Sequence, residues 1–231
     1  MKPFFSLLLA FCVSPSGSAQ DYAQLRERMV QEQIIARGVK HRATLNAMLQ
    51  VERHLFVPSR LQQYAYDDRP LPIGSGQTIS QPFIVAYMTE LLALKASDRV
   101  LEIGAGSGYQ AAVLAEIVDR VYTIEIVKAL GEQTKKRLRE LNYNNIELII
   151  GDGYQGLKAK APFDAIMVTA AAEEIPPPLI DQLKEGGKMI MPVGGASAVQ
   201  RLILVEKKNG KIFKTNFSEV RFVPFTRKKP E

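Results

Sequence analysis

The stretch Val100-Leu101-Glu102-Ile103-Gly104-Ala105-Gly106-Ser107-Gly108 decides how this 231-residue chain is read. An apolar run with one acid leads straight into three glycines at alternate positions, and Tyr109, Ala112, Val113 and Ala115 then begin a helical stretch. The pattern is strand, tight turn, helix. Glycine suits such a turn because the backbone takes dihedrals that a Cβ disfavours, and because a ligand must approach bare amides at the helix N-terminus. A dinucleotide fingerprint would space its glycines Gly-x-Gly-x-x-Gly and seat a pyrophosphate. Here they fall as Gly-x-Gly-x-Gly after an acid, and a purely structural turn is the alternative for the motif taken alone.

Working outward, apolar strands and helical stretches alternate. Strands are expected at 100–103, 121–124, 146–150, 165–168 and 189–191, with helices starting at Tyr109 and Ala129. Such alternation of near-continuous apolar strands predicts an α/β fold, a doubly wound and mostly parallel sheet covered on both faces. Two further strands are expected at 202–205 and 220–223, with Asn209-Gly210 as a turn between them. Upstream, Leu25, Met29, Ile34 and Ile35 recur at roughly helical spacing up to Gly38, a helix stop, and a second helix carries Leu45, Met48 and Leu49. Residues 70–76, with two prolines and two glycines, read as an ordered loop. Thr78-Ile79-Ser80-Gln81-Pro82 opens another helix, with Pro82 in its first turn.

Two more acids stand at strand ends. Glu125 closes Val121-Tyr122-Thr123-Ile124-Glu125, and Asp152 follows Ile149-Ile150-Gly151. Acids at successive strand C-termini line one crevice, where a carboxylate can accept both hydroxyls of a ribose. A helix cap or a solvated turn is the bland reading of either acid singly.

Composition is that of an ordinary globular chain, 46% hydrophobic and 23% charged, enough for one sizeable core. The net charge of +6 is spread out, with Lys135, Lys136, Arg137 and Arg139 on one helix and Arg227, Lys228 and Lys229 near the end. A solvated face explains it, and no nucleic-acid partner is expected. The single cysteine, Cys12, lies in a leader-like segment at 1–19, where Lys2 precedes an apolar run and a small polar stretch ending at Ala19. That run is too short to span a membrane, and no membrane association is expected once the leader is removed. The body therefore has no thiolate nucleophile and no cysteine metal site, and no metal is implied. Its two histidines, His41 and His54, precede every motif and read as structural.

The acid followed by Gly-x-Gly-x-Gly resembles the first motif of class I methyltransferases. The resemblance implies S-adenosyl-L-methionine as cofactor, bound around Glu102, Gly104, Gly106 and Gly108, with Glu125 on the ribose and Asp152-Gly153 at the adenine end. Residues 70–82, 100–115, 161–172 and 182–194, and the ending Val220-Arg221-Phe222-Val223-Pro224-Phe225-Thr226, look like the protein-L-isoaspartate O-methyltransferases, a likeness covering about residues 25–226. Its most specific element is Gly76-Gln77-Thr78-Ile79-Ser80-Gln81-Pro82.

What the resemblance implies is a seven-stranded Rossmann-like methyltransferase sheet, a helical appendage at 20–75, a cofactor-binding core at 76–231, and a C-terminal segment closing over the site. Ser80 would belong to the active site, and Ile79, Gln81, Pro82 and Thr226 would contact the cofactor. Isoaspartyl proteins and peptides would be the substrates. Thr78 and Ser80 are expected to hold the substrate carboxylate, while a serine before Gln81-Pro82 would also suit a helix cap. Residues 71–77 and 220–226 are expected to form a groove that recognises substrate backbone.

A carboxylate acceptor is already ionised at neutral pH, so the absence of any defensible Cys-His or Ser-His-Asp spacing is no obstacle. Rival readings are a class I methyltransferase acting on another acceptor, and a non-catalytic module that keeps the cofactor pocket. A monomer in the cytoplasm is expected; the leader points instead to export, and a native N-terminus at Gln20 would establish that alternative.

Overall fold

The computed structural model describes residues 21–195 and 198–227. The leader at 1–19, with Cys12, and the terminal Lys228 and Lys229 lie outside the described residues.

Helix α1 (Tyr22–Arg28) starts where the Asp21 carboxylate accepts the Ala23 and Gln24 N–H groups, a sequence-encoded N-cap. The helical path then widens into a π segment, Met29–Ile34, tightens into a 3-10 turn at Ile35–Arg37, and stops at Gly38 with φ of 96°. The five-residue step from Met29 to Ile34 explains the widening: a π turn brings both side chains to the buried face, where each is 0% exposed. Helix α2 (Arg42–Gln50) and two 3-10 turns, Arg53–Phe56 and Ser59–Tyr64, complete the appendage.

Residues 70–76 differ from the expected loop. They belong to a β-hairpin of β1 (Leu71–Gly74) and β2 (Gln77–Ile79), paired antiparallel with Leu71 opposite Ile79. Gly74, Ser75 and Gly76 all take positive φ at its tip, which explains the glycines. Leu71 and Ile79 point into the core, so the interleaved apolar residues are strand positions.

Helix α3 (Pro82–Leu92) follows, with Pro82 in its first turn as expected. Then come β3 (Arg99–Ile103), α4 (Tyr109–Ala115), β4 (Arg120–Glu125), α5 (Lys128–Glu140), β5 (Ile146–Ile150), β6 (Phe163–Val168), α6 (Pro177–Asp181), β7 (Leu183–Val193), β8 (Gln200–Lys208) and β9 (Lys211–Val220). The seven-stranded sheet has the order β5-β4-β3-β6-β7-β8-β9. Its first five strands are parallel, and β8 and β9 are joined antiparallel at one edge. The chain leaves β3 toward β4 on one side and returns after β5 to β6 on the other. The switch point, where such sheets bind ligands, is therefore at the C-terminal ends of β3, β4 and β6.

The last strand is the second departure. Strand β9 ends at Val220, and the expected strand at 220–223 is a segment leaving the sheet. Strand β9 is an edge with mostly exposed side chains, including Lys211, Lys214, Thr215 and Asn216, so it lacks the apolar run by which the inner strands are recognised. Asn209-Gly210 does turn the chain between β8 and β9, both with positive φ.

One core cluster packs Met29, Ile34, Met48 and Phe56 of the appendage with Met88 of α3, Val113 of α4 and Val100 of β3. The appendage thus shares its core with one face of the sheet. A second cluster, including Leu101, Ile103, Ile166 and Leu179, fills the other face. Among the described residues no helix is long and apolar enough to cross a membrane.

Candidate active site

The glycine turn is built from both sides. Gly104, Gly106 and Gly108 have φ of 99°, 53° and 88°. The Gly104 and Ala105 N–H groups donate to the Ile124 carbonyl at 2.8 and 3.2 Å, which ties the turn to β4. From α5, Thr134 donates to the Gly106 carbonyl at 2.6 Å and Arg137 to the Ser107 carbonyl at 2.9 Å. A Cβ at Gly104 would stand 2.5 Å from the Thr169 hydroxyl, and one at Gly108 would stand 2.8 Å from Thr134 Cγ2. Gly104 and Gly106 open onto the crevice, whereas Gly108 packs behind it.

Glu125 is buried at the end of β4, and both its carboxylate oxygens are used: Oε2 accepts the Gly106 N–H at 2.8 Å and Oε1 the Val127 N–H at 2.9 Å. Each oxygen retains a lone pair, so the group can still accept two hydroxyls from the crevice it lines. The glycine cradle and this carboxylate fit a ribose-bearing cofactor.

The same crevice is lined by Thr78, Gly153, Thr169 and the strap from Val223 to Thr226. A Cβ on Gly153 would lie 2.4 Å from Ile103 Cγ2, so the chain passes too close to β3 for a side chain. Asp152, next to Gly153, itself lines none of the described cavities; its Oδ1 accepts the Tyr154 N–H at 2.9 Å and its Oδ2 accepts from Arg227 Nε at 3.0 Å. The Arg227 guanidinium stacks 3.5 Å from the Tyr154 ring centre, and Ala171 bonds both Val223 and Phe225. These contacts hold the strap across the crevice.

Beside the crevice runs a groove of about 440 Å³ lined by Thr78, Ser80, Gln81, Thr169 and residues 220–223. Of the two segments expected to form it, 220–226 supplies residues 220–223, whereas none of residues 71–77 lines it; Pro70 and Thr78, on either side of that segment, do. Gln200 braces the far wall: its amide accepts the Phe222 N–H at 2.6 Å and donates to the Phe222 carbonyl at 3.2 Å. Ile79 and Ser80 line a recess that reaches Gly104 and Gly106. The N-cap of α3 is Gln81, with no side-chain cap bond, so Ser80 is not spent on capping. Pro82 is buried in the helix and lines none of the described cavities.

Glu102 also lines none of them. It is 0% exposed within β3, accepts a short hydrogen bond from the Thr123 hydroxyl, and leaves Oε1 without a partner. Burial pushes its carboxyl up to about 8, against the Thr123 bond, with the Glu125 charge adding to the rise. The folded protein therefore keeps a proton that the unfolded chain gives up above the ordinary carboxylate range. Stability contributed by this group is present at low pH and declines as pH rises from about 4.5 to about 8. Glu102→Gln, which mimics the protonated acid, should match the parent near pH 5 and exceed it in stability at pH 8. Denaturant unfolding at the two pH values checks this, and a gap that does not widen with pH contradicts it.

Sequence reasoning missed Thr169, whose hydroxyl shares its proton between the Ile103 and Gly104 carbonyls at 3.0 and 2.8 Å and which lines crevice, groove and recess. Its position one residue past β6, beside β3, is the signal that marks it. His41 and His54 stay in the appendage: His41 meets Thr44 at 2.9 Å, and His54 stacks on Tyr22 and meets the Tyr66 hydroxyl at 2.8 Å.

Sheet order, glycine turn and strand-end carboxylate define a class I methyltransferase that uses S-adenosylmethionine. The particular family follows from comparison with known proteins. The model of the protein-L-isoaspartate(D-aspartate) O-methyltransferase family matches residues 24–230, and the chain belongs to that family. A protein-L-isoaspartate O-methyltransferase of Opitutus terrae is 55% identical over the whole of both chains. Protein-L-isoaspartate O-methyltransferase 1 of Nitrosospira multiformis is 54% identical over 96% of this chain and 94% of its own. A beta-aspartate methyltransferase structure from Plasmodium falciparum, in complex with S-adenosyl-L-homocysteine, aligns with a TM-score of 0.77 and 30% identity, covering 91% of this chain and all of that one.

Proposed function

We propose that this chain repairs damaged proteins by moving a methyl group from S-adenosylmethionine to the side-chain carboxylate of L-isoaspartyl residues, with the roles of its residues as follows. The observation that carries the assignment of roles is the meeting of crevice and groove at Thr78 and Thr169, which line both. Glu125 holds the ribose, Asp152 and Gly153 the adenine end, and Gly104, Gly106, Ile79 and Thr226 the rest of the cofactor. The hydroxyls of Thr78 and Ser80 hold the substrate carboxylate from the groove side, and residues 220–223 hold the peptide backbone around it.

When bound, the cofactor supplies a sulfonium methyl group. Thr78 and Ser80 would hold the ionised carboxylate oxygen toward that methyl group, and the product ester and thioether would both be neutral. No proton is transferred, so this chain has only to align the acceptor and exclude water. The same reading has the enzyme act in the cytoplasm, where its methyl donor is made.

Ser80→Ala tests the division of labour. Loss of a hydrogen bond to a charged group costs about 1.5–3 kcal/mol, so kcat/KM for the isoaspartyl peptide should fall roughly ten- to a hundredfold, mainly through KM, while cofactor affinity changes less than about threefold. Steady-state kinetics beside calorimetric titration with S-adenosylhomocysteine checks it. Equal loss of both would remove Ser80 from the substrate side.

A further inference from the structure

The N-terminal appendage sends one side chain to the floor of the site. Arg53 is 0% exposed. Its Nε donates to the Ala65 carbonyl at 2.7 Å and its Nη2 to the Ser80 carbonyl at 2.7 Å, while Nη1 has no hydrogen-bond partner. The guanidinium lies 4.8 Å from the centre of the Tyr109 ring, the first residue of α4 after the glycine turn. Among the described residues Arg53 forms no ion pair; Asp68, whose field reaches it, is already paired with Arg37 at 2.8 Å. Burial draws its pKa down to about 10, which still leaves it charged at neutral pH.

An unpaired buried cation is costly, and a bound anion nearby would offset that cost. The groups around it have the matching polarity. In a trans peptide the carbonyl and the following N–H point in opposite directions, so the bond from Arg53 to Ser80 turns the Gln81 N–H away from Arg53. Ser80 and Gln81 both line the groove, and the eleven-residue helix α3 starts there without a side-chain cap. The charged side chains at the groove, Glu219 and Arg221, are both exposed at its rim.

We propose that Arg53 is a positioning residue whose buried cation, acting through the Ser80 peptide, selects a negatively charged group at the Thr78 and Ser80 hydroxyls. This rests on the reading that those hydroxyls hold the isoaspartyl carboxylate. The direction of its effect follows from the charges. Methyl transfer turns a carboxylate and a sulfonium into a neutral ester and a neutral thioether. A cation that stabilises the carboxylate therefore favours substrate binding, not the chemical step, and releases its hold once the ester has formed. Arg53 should act on KM and leave kcat nearly unchanged.

The test compares two peptides, one with isoaspartate and one with isoasparagine, its neutral amide isostere. Each is titrated into the full chain saturated with S-adenosylhomocysteine, with methyl transfer to the isoaspartyl peptide measured in parallel. The parent should prefer the charged peptide. Arg53→Gln keeps a donor for Ser80 without the charge, and should shrink that preference at least about tenfold, raising KM to match. Arg53→Lys keeps the charge, and should retain the preference within about threefold.

An unchanged preference in Arg53→Gln overturns the proposal, as does a fall in kcat with KM intact, the sign of a purely structural role. Should the Gln variant fail to bind cofactor, the Lys variant decides: loss of its preference with cofactor affinity intact contradicts a role for charge. Failure of the parent to bind or methylate the isoaspartyl peptide would instead remove the underlying assignment of the hydroxyls.

Discussion

Glu125→Ala is expected to weaken cofactor binding at least about a hundredfold. The carboxylate is assigned two ribose hydroxyls, and hydrogen bonds to a charged group are worth about 1.5–3 kcal/mol each. It also accepts the Gly106 and Val127 N–H groups, so its removal loosens the turn that the cofactor must approach. Glu125→Gln can accept with one oxygen only, and should fall between parent and Ala. Calorimetric titration with S-adenosylhomocysteine measures the effect, with circular dichroism to show that the variant is folded. Affinity within threefold of the parent would place the ribose elsewhere.

Gly104→Ala should be nearly as damaging by a different route. Positive φ there costs an L-residue about 1–2 kcal/mol, and the new Cβ would meet the Thr169 hydroxyl at 2.5 Å. That hydroxyl bonds the Ile103 and Gly104 carbonyls, so displacing it also loosens the junction of β3 with β6. Together these should cost about 2–4 kcal/mol of stability and most of the cofactor affinity. The double variant with Thr169→Ala removes the clashing oxygen, and should be more stable than the sum of the two single losses predicts. Strict additivity in denaturant unfolding would show that the clash is not the cause.

Much of this site was legible because ligand-binding turns leave backbone signatures. Gly104 and Gly106 are glycine for reasons of dihedral angle and close approach, and the acid at Glu125 follows an apolar strand whose end is easily found. The inner strands are buried on both faces and read as continuous apolar runs. Strand β9 escaped that logic because most side chains of this edge strand are exposed and carry no apolar run, and the hairpin at 71–79 escaped because its prolines and glycines resemble a loop. Glu102 shows a limit of motif reading: it belongs to the motif by spacing, yet the pleat of β3 buries it away from the described cavities. Thr169, marked only by its place just past a strand end, and Arg53 escaped for another reason. Each acts through contacts with residues far away in sequence, Thr169 with β3 and Arg53 with Ser80, and neither sits in a local pattern that names its partner.

The central claim, that this chain methylates isoaspartyl carboxylates with S-adenosylmethionine, is tested most directly with two peptides identical except for one aspartyl or isoaspartyl linkage. Each is incubated with residues 20–231 and methyl-labelled cofactor, and base-labile methyl ester is counted. Label on the isoaspartyl peptide alone is the predicted result. Cofactor binding without label on either peptide, or equal label on both, would contradict the claim.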